Sequence, residues 1–108
     1  MKAKQIKVLK MRQIVWTKYA QEEKINTLKY WTRRNHSPAY SKKINKESKR
    51  MLSLVKENPF IGEEVEDMRN VRHVLVLEVF SLFYYFDEGY VKILSFWDNR
   101  RDPENLVL

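Results

Sequence analysis

Three arginines in the C-terminal half of the chain are the side chains best suited to hold an anion. Arg72, Arg100 and Arg101 lie within residues 59–108, where five Lys and Arg stand against ten Asp and Glu. A guanidinium group forms paired hydrogen bonds with phosphate or carboxylate. Arg72 leads one apolar run and the other two follow the last run, so antiparallel pairing predicts a basic cluster at one end of a sheet. Such a cluster would suit a phosphate or a carboxylate-rich protein surface.

Tyrosines and histidines are the residue types here that could transfer a proton. Tyr84 and Tyr85 are consecutive, so on a strand they point to opposite faces. Tyr84 shares its face with large apolar residues, which favours a place in the core over a catalytic one. His73 points away from Arg72 by the same alternation, and His36 lies in a predicted turn. Neither histidine is therefore favoured as an acid or base, and Tyr85 lies on the face opposite to that of Tyr84.

No cofactor or metal site is predicted. The chain has no cysteine, which excludes disulfides, thiolate catalysis and thiolate metal ligation. It also lacks a glycine-rich phosphate loop and a cluster of His or acidic residues at metal-ligand spacing. The most apolar run, residues 74–86, is shorter than the roughly twenty residues of a membrane span, and residues 1–16 do not resemble a signal peptide. We therefore expect a cytoplasmic protein without a membrane partner.

Charge is distributed unevenly along the 108 residues. The formal net charge is +7, and residues 1–58 carry sixteen Lys and Arg against four Asp and Glu. A basic half indicates either a polyanionic target or an acidic protein partner. The alternative is that the lysines only solvate the outer faces of helices. Residues 1–10 are predicted to be a basic extension and residues 11–108 a single domain.

Hydrophobic periodicity predicts an α+β fold. The predicted helices are residues 17–34 and 38–57, and the predicted strands are residues 12–16, 63–67, 71–78, 79–86 and 90–97. Each helix has one apolar stripe at 3.6-residue spacing, and the short break between them predicts an antiparallel hairpin. The order is β-α-α-β-β-β(β), in which the helical hairpin packs on one face of a mostly antiparallel sheet.

Five short motifs follow one another along the chain. They are IVWT at 14–17 with Ala20, NPFIG at 58–62, NVR at 70–72, FSLFYYFD at 80–87, and VKILSF at 91–96 followed by RRDP at 100–103. Their order and spacing resemble the RelE/ParE superfamily of toxins from type II toxin–antitoxin systems. The resemblance covers about residues 11–106. It implies the same fold and a bacterial, plasmid-stabilisation type of protein that inhibits growth.

Superfamily members that cut messenger RNA on the ribosome surround the scissile phosphate with basic side chains. By position, the resemblance assigns Arg72 to the first of these places and Arg100 or Arg101 to the last. Val74 and Ser81 stand where such nucleases often have Lys and Arg. The basic constellation of a nuclease is therefore half present.

The proton-transfer residue of these nucleases is also in question, because no Tyr or His follows Trp97. The resemblance therefore favours a ParE-like toxin that poisons a target such as DNA gyrase. The alternative is a ribosome-dependent messenger RNA endoribonuclease that uses Tyr84 or Tyr85. Whether the protein is an enzyme stays open at this point.

The resemblance also implies a cognate antitoxin, acidic and partly disordered. Phe83, Tyr85 and Trp97 are the predicted antitoxin contacts, because an exposed aromatic patch usually marks a partner surface. A homodimer or a toxin–antitoxin hetero-oligomer is expected. Outside toxins, the remaining alternative is a small basic nucleic-acid-binding domain, although the chain has no recognition-helix or RNA-binding motif.

Overall fold

The structure is a computed structural model that describes residues 12–108, and the predicted extension at residues 1–10 lies outside them. The described residues form two helices, five strands and two 3-10 turns. In chain order the helices and strands are β1 (Gln13–Trp16), α1 (Lys18–Asn35), α2 (Ala39–Glu57), β2 (Glu63–Glu64), β3 (Val71–Val76), β4 (Phe80–Phe86) and β5 (Tyr90–Asp98). The predicted α+β fold is confirmed, although the expected edge strand at 63–67 shortens to two residues.

The five strands form one mixed sheet in the order β1-β5-β4-β3-β2. The three pairs between β2 and β5 are antiparallel, as expected from the short connections. β1 instead lies parallel to β5, with Ile14 opposite Val91 and Trp16 opposite Ile93. β1 therefore lies beside the last described strand, and the connection between these two parallel neighbours contains both helices and the strands β2, β3 and β4.

Side-chain caps and a polar tie hold the helical hairpin together. The Thr17 hydroxyl accepts a hydrogen bond from the backbone N–H of Ala20 at 3.1 Å, which is an N-cap at the start of α1. At the opposite end, His36 adopts the left-handed conformation with φ 52°. The Ser41 hydroxyl of α2 donates to the carbonyl of Leu28 on α1 at 2.7 Å. This bond satisfies a buried hydroxyl where the two helices meet.

The core lies between the helical hairpin and one face of the sheet, which we call the inner face. Paired positions place Val74, Leu82 and Phe96 side by side across three strands of this face. Phe80 and Phe96 stack at a centroid distance of 5.2 Å. The largest fully buried side chains of the core are Tyr84, Phe80, Phe96, Ile44, Leu82 and Ile93. Alternation along the strands leaves a second, outer face that the helices do not cover.

The turn between β3 and β4 has a left-handed backbone without a glycine. Leu77 has φ 53° and Glu78 has φ 58°, and the N–H of Val79 donates to the carbonyl of Val76 at 3.2 Å. Two consecutive positive φ values are the signature of a type I′ hairpin turn. The sequence correctly placed a turn near Glu78, but the tight geometry is imposed by the pairing of the two strands.

One edge of β5 is capped by a carboxylate. β1 covers β5 only as far as Ile93, so the edge beyond it has no strand neighbour among the described residues. There the Oε1 atom of Glu23, from α1, accepts hydrogen bonds from the backbone N–H of Phe96 at 3.0 Å and from the Ser95 hydroxyl at 2.9 Å. An inward-pointing charge of this kind blocks the addition of another strand.

Candidate functional site

The predicted arginine cluster does not form, and this is a correction to the sequence-based prediction. β3 and β5 each pair antiparallel with β4, so they run in the same direction. The start of β3, which carries Arg72, is therefore at the opposite end of the sheet from Arg100 and Arg101, which follow the end of β5. Arg72 lies level with Tyr84, whereas the end of β5 lies level with Phe80, four residues or roughly 13 Å away.

Arg72 is engaged in contacts within the chain. Its Nη1 atom donates to the carbonyl of Gly62 at 2.8 Å, and its Nη2 atom lies 3.1 Å from the Glu64 carboxylate. The guanidinium also lies over the ring of Phe60, 5.3 Å from the centroid. Only 19% of the side chain is exposed. Arg72 thus stabilises the segment between α2 and β3, and its acidic partner, Glu64, belongs to β2.

Tyr84 is buried in the core and its hydroxyl is fully used. The hydroxyl donates to the carbonyl of Pro59 at 2.6 Å and accepts from the N–H of Gly62 at 3.1 Å. Burial raises the pKa of this tyrosine, and the Gly62 N–H partly opposes the shift. A Cβ atom on Gly62 would overlap the Tyr84 hydroxyl and lie 3.0 Å from the Cβ of Arg72. Tyr84 therefore holds the 3-10 turn Pro59–Ile61 against the sheet, and it has no free group for catalysis.

The two departures from the nuclease pattern also have structural roles. Val74 is buried on the inner face of β3. Ser81 is buried on the outer face, where its hydroxyl hydrogen-bonds to Oδ1 of Asn99 at 3.0 Å. Neither position has room for a long cationic side chain without rearrangement of its neighbours.

The expected aromatic patch on the outer face is mostly buried, which is a second correction. Phe83 is 8% exposed and stacks on the ring of His73 at a centroid distance of 5.1 Å. Trp97 is 3% exposed and lies under the guanidinium of Arg101, 4.5 Å from the ring centroid. Tyr85 alone of the three is partly open. Neighbouring side chains cover the other two, which sequence alternation cannot reveal.

The outer face carries three titratable side chains, those of His73, Tyr85 and Lys92, which were not predicted to form a common site. His73 stands opposite Phe83, two positions from Tyr85 along the same face, and Tyr85 stands opposite Lys92. The Nδ1 atom of His73 is buried and has no hydrogen-bond partner among the described residues. Glu63 of β2 is its cross-strand neighbour. Alternation alone already placed His73 and Tyr85 on one face, so this group was accessible from the sequence.

Arg100 and Arg101 border a cleft between α1 and the C-terminal end of β5, which we call the α1–β5 cleft. Its volume is about 700 Å³, and the residues that line it include Asn26, Tyr30, Trp31, Arg34, Asp98 and Arg101. Arg100 binds the Asp98 carboxylate through Nε and Nη2, at 2.9 and 2.7 Å, and lies over the ring of Trp31. The hydrogen bond from Arg100 lowers the pKa of Asp98.

Comparisons with known proteins bear on the fold. No model of a known protein family matches the sequence, and no curated protein matches it. A solved structure described as the chromosomal ParDE TA system from P. aeruginosa contains a similar chain, with a TM-score of 0.66 and 14% sequence identity. The match covers 82% of this chain and 96% of that one. The chain shares the fold of that ParDE chain.

This shared fold agrees with the resemblance drawn from the sequence motifs. At 14% identity the likeness establishes the architecture, and it does not transfer an activity or a site. Within residues 12–108, no three His, Asp or Glu side chains are arranged to hold a metal ion. Neither described helix is long and apolar enough to cross a membrane.

Proposed function

We propose that this protein is the toxin of a type II toxin–antitoxin pair, and that it arrests growth by binding a cellular target without cutting RNA. The observation that carries the proposal is that, within a RelE/ParE-like fold, the predicted nuclease residues Arg72 and Tyr84 are bonded to other groups of the chain. Arg72 is bound to Gly62 and Glu64, and Tyr84 is bound to Pro59. Each missing electrostatic donor in a catalytic site typically lowers the rate about a hundredfold or more.

The proposed partner is an acidic antitoxin. The exposed face of α2 carries Lys42, Lys43, Lys46, Lys49 and Arg50, and among the described residues only the last of these forms a salt bridge. A row of unpaired cations attracts an acidic segment and accelerates its association. This face is also the simplest target of a partly disordered acidic tail, because such a tail can follow an extended charged surface.

The proposed target is DNA gyrase in the cytoplasm, and Arg100 and Arg101 are the proposed contact residues. Both lie at the surface beyond the end of β5, so they can meet a target without any change in the core. Arg72 is not proposed as a target contact, because only 19% of its side chain is exposed, whereas 55% of the Arg100 side chain is exposed although it binds Asp98.

Induced expression in bacteria tests the proposal. We expect growth to stop, the supercoiling activity of purified gyrase to fall when the protein is added, and messenger RNA on translating ribosomes to stay intact. R100A and R101A together should relieve the growth arrest. Because they also remove the Asp98 pair and the cover over Trp97, a thermal melt checks that the variant is still folded at the temperature of the assay. Unchanged growth on induction would reject the toxin assignment, and unchanged gyrase activity would reject the target.

The second candidate function is a ribosome-dependent endoribonuclease, and the group on the outer face favours it. His73, Tyr85 and Lys92 share that face, and such side chains supply acid, base and cation to phosphate cleavage. If messenger RNA is cut at the ribosome, we expect H73A and Y85F to abolish the cut. A nucleic-acid-binding domain would instead show salt-sensitive binding to naked DNA or RNA.

A further inference from the structure

We infer that the α1–β5 cleft binds a nucleoside phosphate. This inference goes beyond the proposed function and does not depend on it, because a toxin that acts on a protein target has no need of a small anionic ligand. It rests on the shape of the cleft, on the charges at its rim and on the aromatic side chains in its walls.

The cleft is held open by the fold. Its volume of about 700 Å³ falls within the ordinary range for sites that take small molecules. One wall is α1 and the other is the end of β5, and the bonds from Ser95 and Phe96 to Glu23 fix the distance between them. Phe96 is 2% exposed and forms part of the lining. A ligand would therefore enter a preformed space.

The rim of the cleft carries more positive than negative charge. Arg34, Arg100 and Arg101 face Glu23 and Asp98. Asp98 is paired with Arg100. The Oε1 atom of Glu23 accepts bonds only from the neutral Ser95 hydroxyl and Phe96 N–H, and its Oε2 atom is buried without a hydrogen-bond partner among the described residues. Within residues 12–108, neither Arg34 nor Arg101 forms a salt bridge. The guanidinium groups of Arg34 and Arg101 therefore outnumber the Glu23 carboxylate by one, and guanidinium groups bind phosphate through paired hydrogen bonds.

Aromatic side chains give the cleft an affinity for a flat ring. Tyr30 is 52% exposed and meets Trp31 edge to face at a centroid distance of 5.1 Å. Arg100 lies over the ring of Trp31 at 5.2 Å. A nucleobase can stack on the open face of Tyr30 or on the guanidinium plane of Arg100, as bases do on aromatic and arginine side chains elsewhere. Asn26 offers an amide to the edge of the base.

A nucleoside phosphate satisfies both features with one molecule. An acidic peptide would use the arginines, but it would leave the ring of Tyr30 without a partner. Inorganic phosphate would do the same, and an unphosphorylated nucleoside would leave Arg34 and Arg101 unused. The ligand class is therefore decided by the combination of charge and stacking.

Titration calorimetry on the full chain, with the four nucleoside monophosphates as probes, tests this inference. We expect at least one to bind, with inorganic phosphate, its nucleoside and a poly-glutamate peptide each weaker by about tenfold or more, since about 1.4 kcal/mol per lost interaction gives that factor. Amide chemical shifts should change at Asn26, Tyr30 and Arg34. Failure of all four monophosphates to bind at millimolar concentration would overturn the inference, and so would equal binding of the peptide.

Variants of neighbouring residues distinguish specific binding in the cleft from non-specific electrostatic attraction to the basic surface. R34A and Y30A should each weaken monophosphate binding by about tenfold. R33A is the matched control, because Arg33 lies in the same turn of α1, is exposed and does not line the cleft. Thermal melts confirm that each variant is folded. If R33A weakens binding as much as R34A does, the attraction is unspecific and the inference fails.

Discussion

A single hydroxyl, that of Tyr84, satisfies two backbone groups of the segment that follows α2. The carbonyl of Pro59 and the N–H of Gly62 both bond to it, and both would be left without a partner if the hydroxyl were removed. Arg72 binds the same segment from the side, through the carbonyl of Gly62. Arg72 and Tyr84, which the family resemblance suggested for catalysis, thus hold the backbone of this segment in place.

We expect Y84F to lower the free energy of unfolding by about 1–3 kcal/mol, because it leaves a buried donor and a buried acceptor unpaired. Urea denaturation measures this loss. Y85F is the matched control, since Tyr85 lies next in sequence and points to the outer face, and its unfolding should shift by less than about 0.5 kcal/mol. Equal stability of Y84F and the wild type would show that the hydroxyl is not structural.

Asp98 gives a prediction about pH. The hydrogen bond from Arg100 lowers the pKa of its carboxyl below the ordinary value of 3.8, so the ionised form stabilises the folded state above about pH 4. That contribution disappears as the pH falls through the lowered pKa. We expect D98N to be less stable than the wild type by up to about 1 kcal/mol near pH 7, since the pair is partly exposed.

Urea denaturation of the wild type and D98N at several pH values checks the sign. The difference between the two proteins should shrink as the pH is lowered from about 5 towards about 2. A difference that stays constant over this range would mean that the ionised carboxylate of Asp98 contributes nothing to stability.

At the scale of elements, the sequence predicted where the helices and strands lie along the chain. It predicted less well which strands are neighbours in the sheet. The spacing of apolar residues indicates which face of an element is buried. Thr17 marks the start of α1, and Pro59 follows the end of α2. The same spacing says nothing about the order of strands in a sheet. The parallel place of β1 and the common direction of β3 and β5 were therefore not predicted, and the arginine cluster was wrong for that reason.

Contacts between distant elements were also beyond the sequence. Glu23 lies within the predicted helix at residues 17–34, and its carboxylate reaches a strand residue 72 positions away. The burial of Phe83 depends on His73 of the neighbouring strand, and that of Trp97 depends on Arg101, which lies just beyond the end of β5. Side-chain cover of this kind follows from tertiary packing, and alternation along one strand carries no record of it.

We expect E23A to destabilise the protein by about 1–3 kcal/mol, because it removes the acceptor for the Phe96 N–H and the Ser95 hydroxyl. E23Q should lose less, since its amide oxygen can accept the same bonds. Urea denaturation ranks the three proteins, and light scattering tests whether the uncapped edge of β5 promotes association in E23A. If E23Q is as unstable as E23A, the capping bonds are not what the carboxylate supplies.

At the scale of the whole molecule, charge separates the two parts of the chain. The basic side chains of α2 lie on the helical layer, whereas β2 and the loops after it are acidic. The outer sheet face has fewer exposed aromatic side chains than expected, so we expect charge to supply most of the affinity for a partner. A +7 chain repels itself, and a bound acidic partner relieves that repulsion.

We expect an acidic antitoxin to raise both the soluble yield and the melting temperature of this protein, because a ligand that binds only the folded state stabilises it. Co-expression with the adjacent gene and a thermal melt of the purified complex measure the two effects. Replacing Lys42, Lys46 and Lys49 with Gln should reduce the gain. A melting temperature unaffected by the partner would contradict the prediction.

The pairing of β1 with β5 has a consequence for synthesis. The strand that is translated early, at Gln13–Trp16, must wait for Tyr90–Ile93 before it gains its neighbour, and α1 waits still longer for Phe96. Contacts this distant in sequence form late in folding. A nascent chain therefore leaves the ribosome almost entire before its sheet can close. For the proposed toxin, that delay separates the synthesis of most of the chain from the appearance of the first folded, harmful molecule.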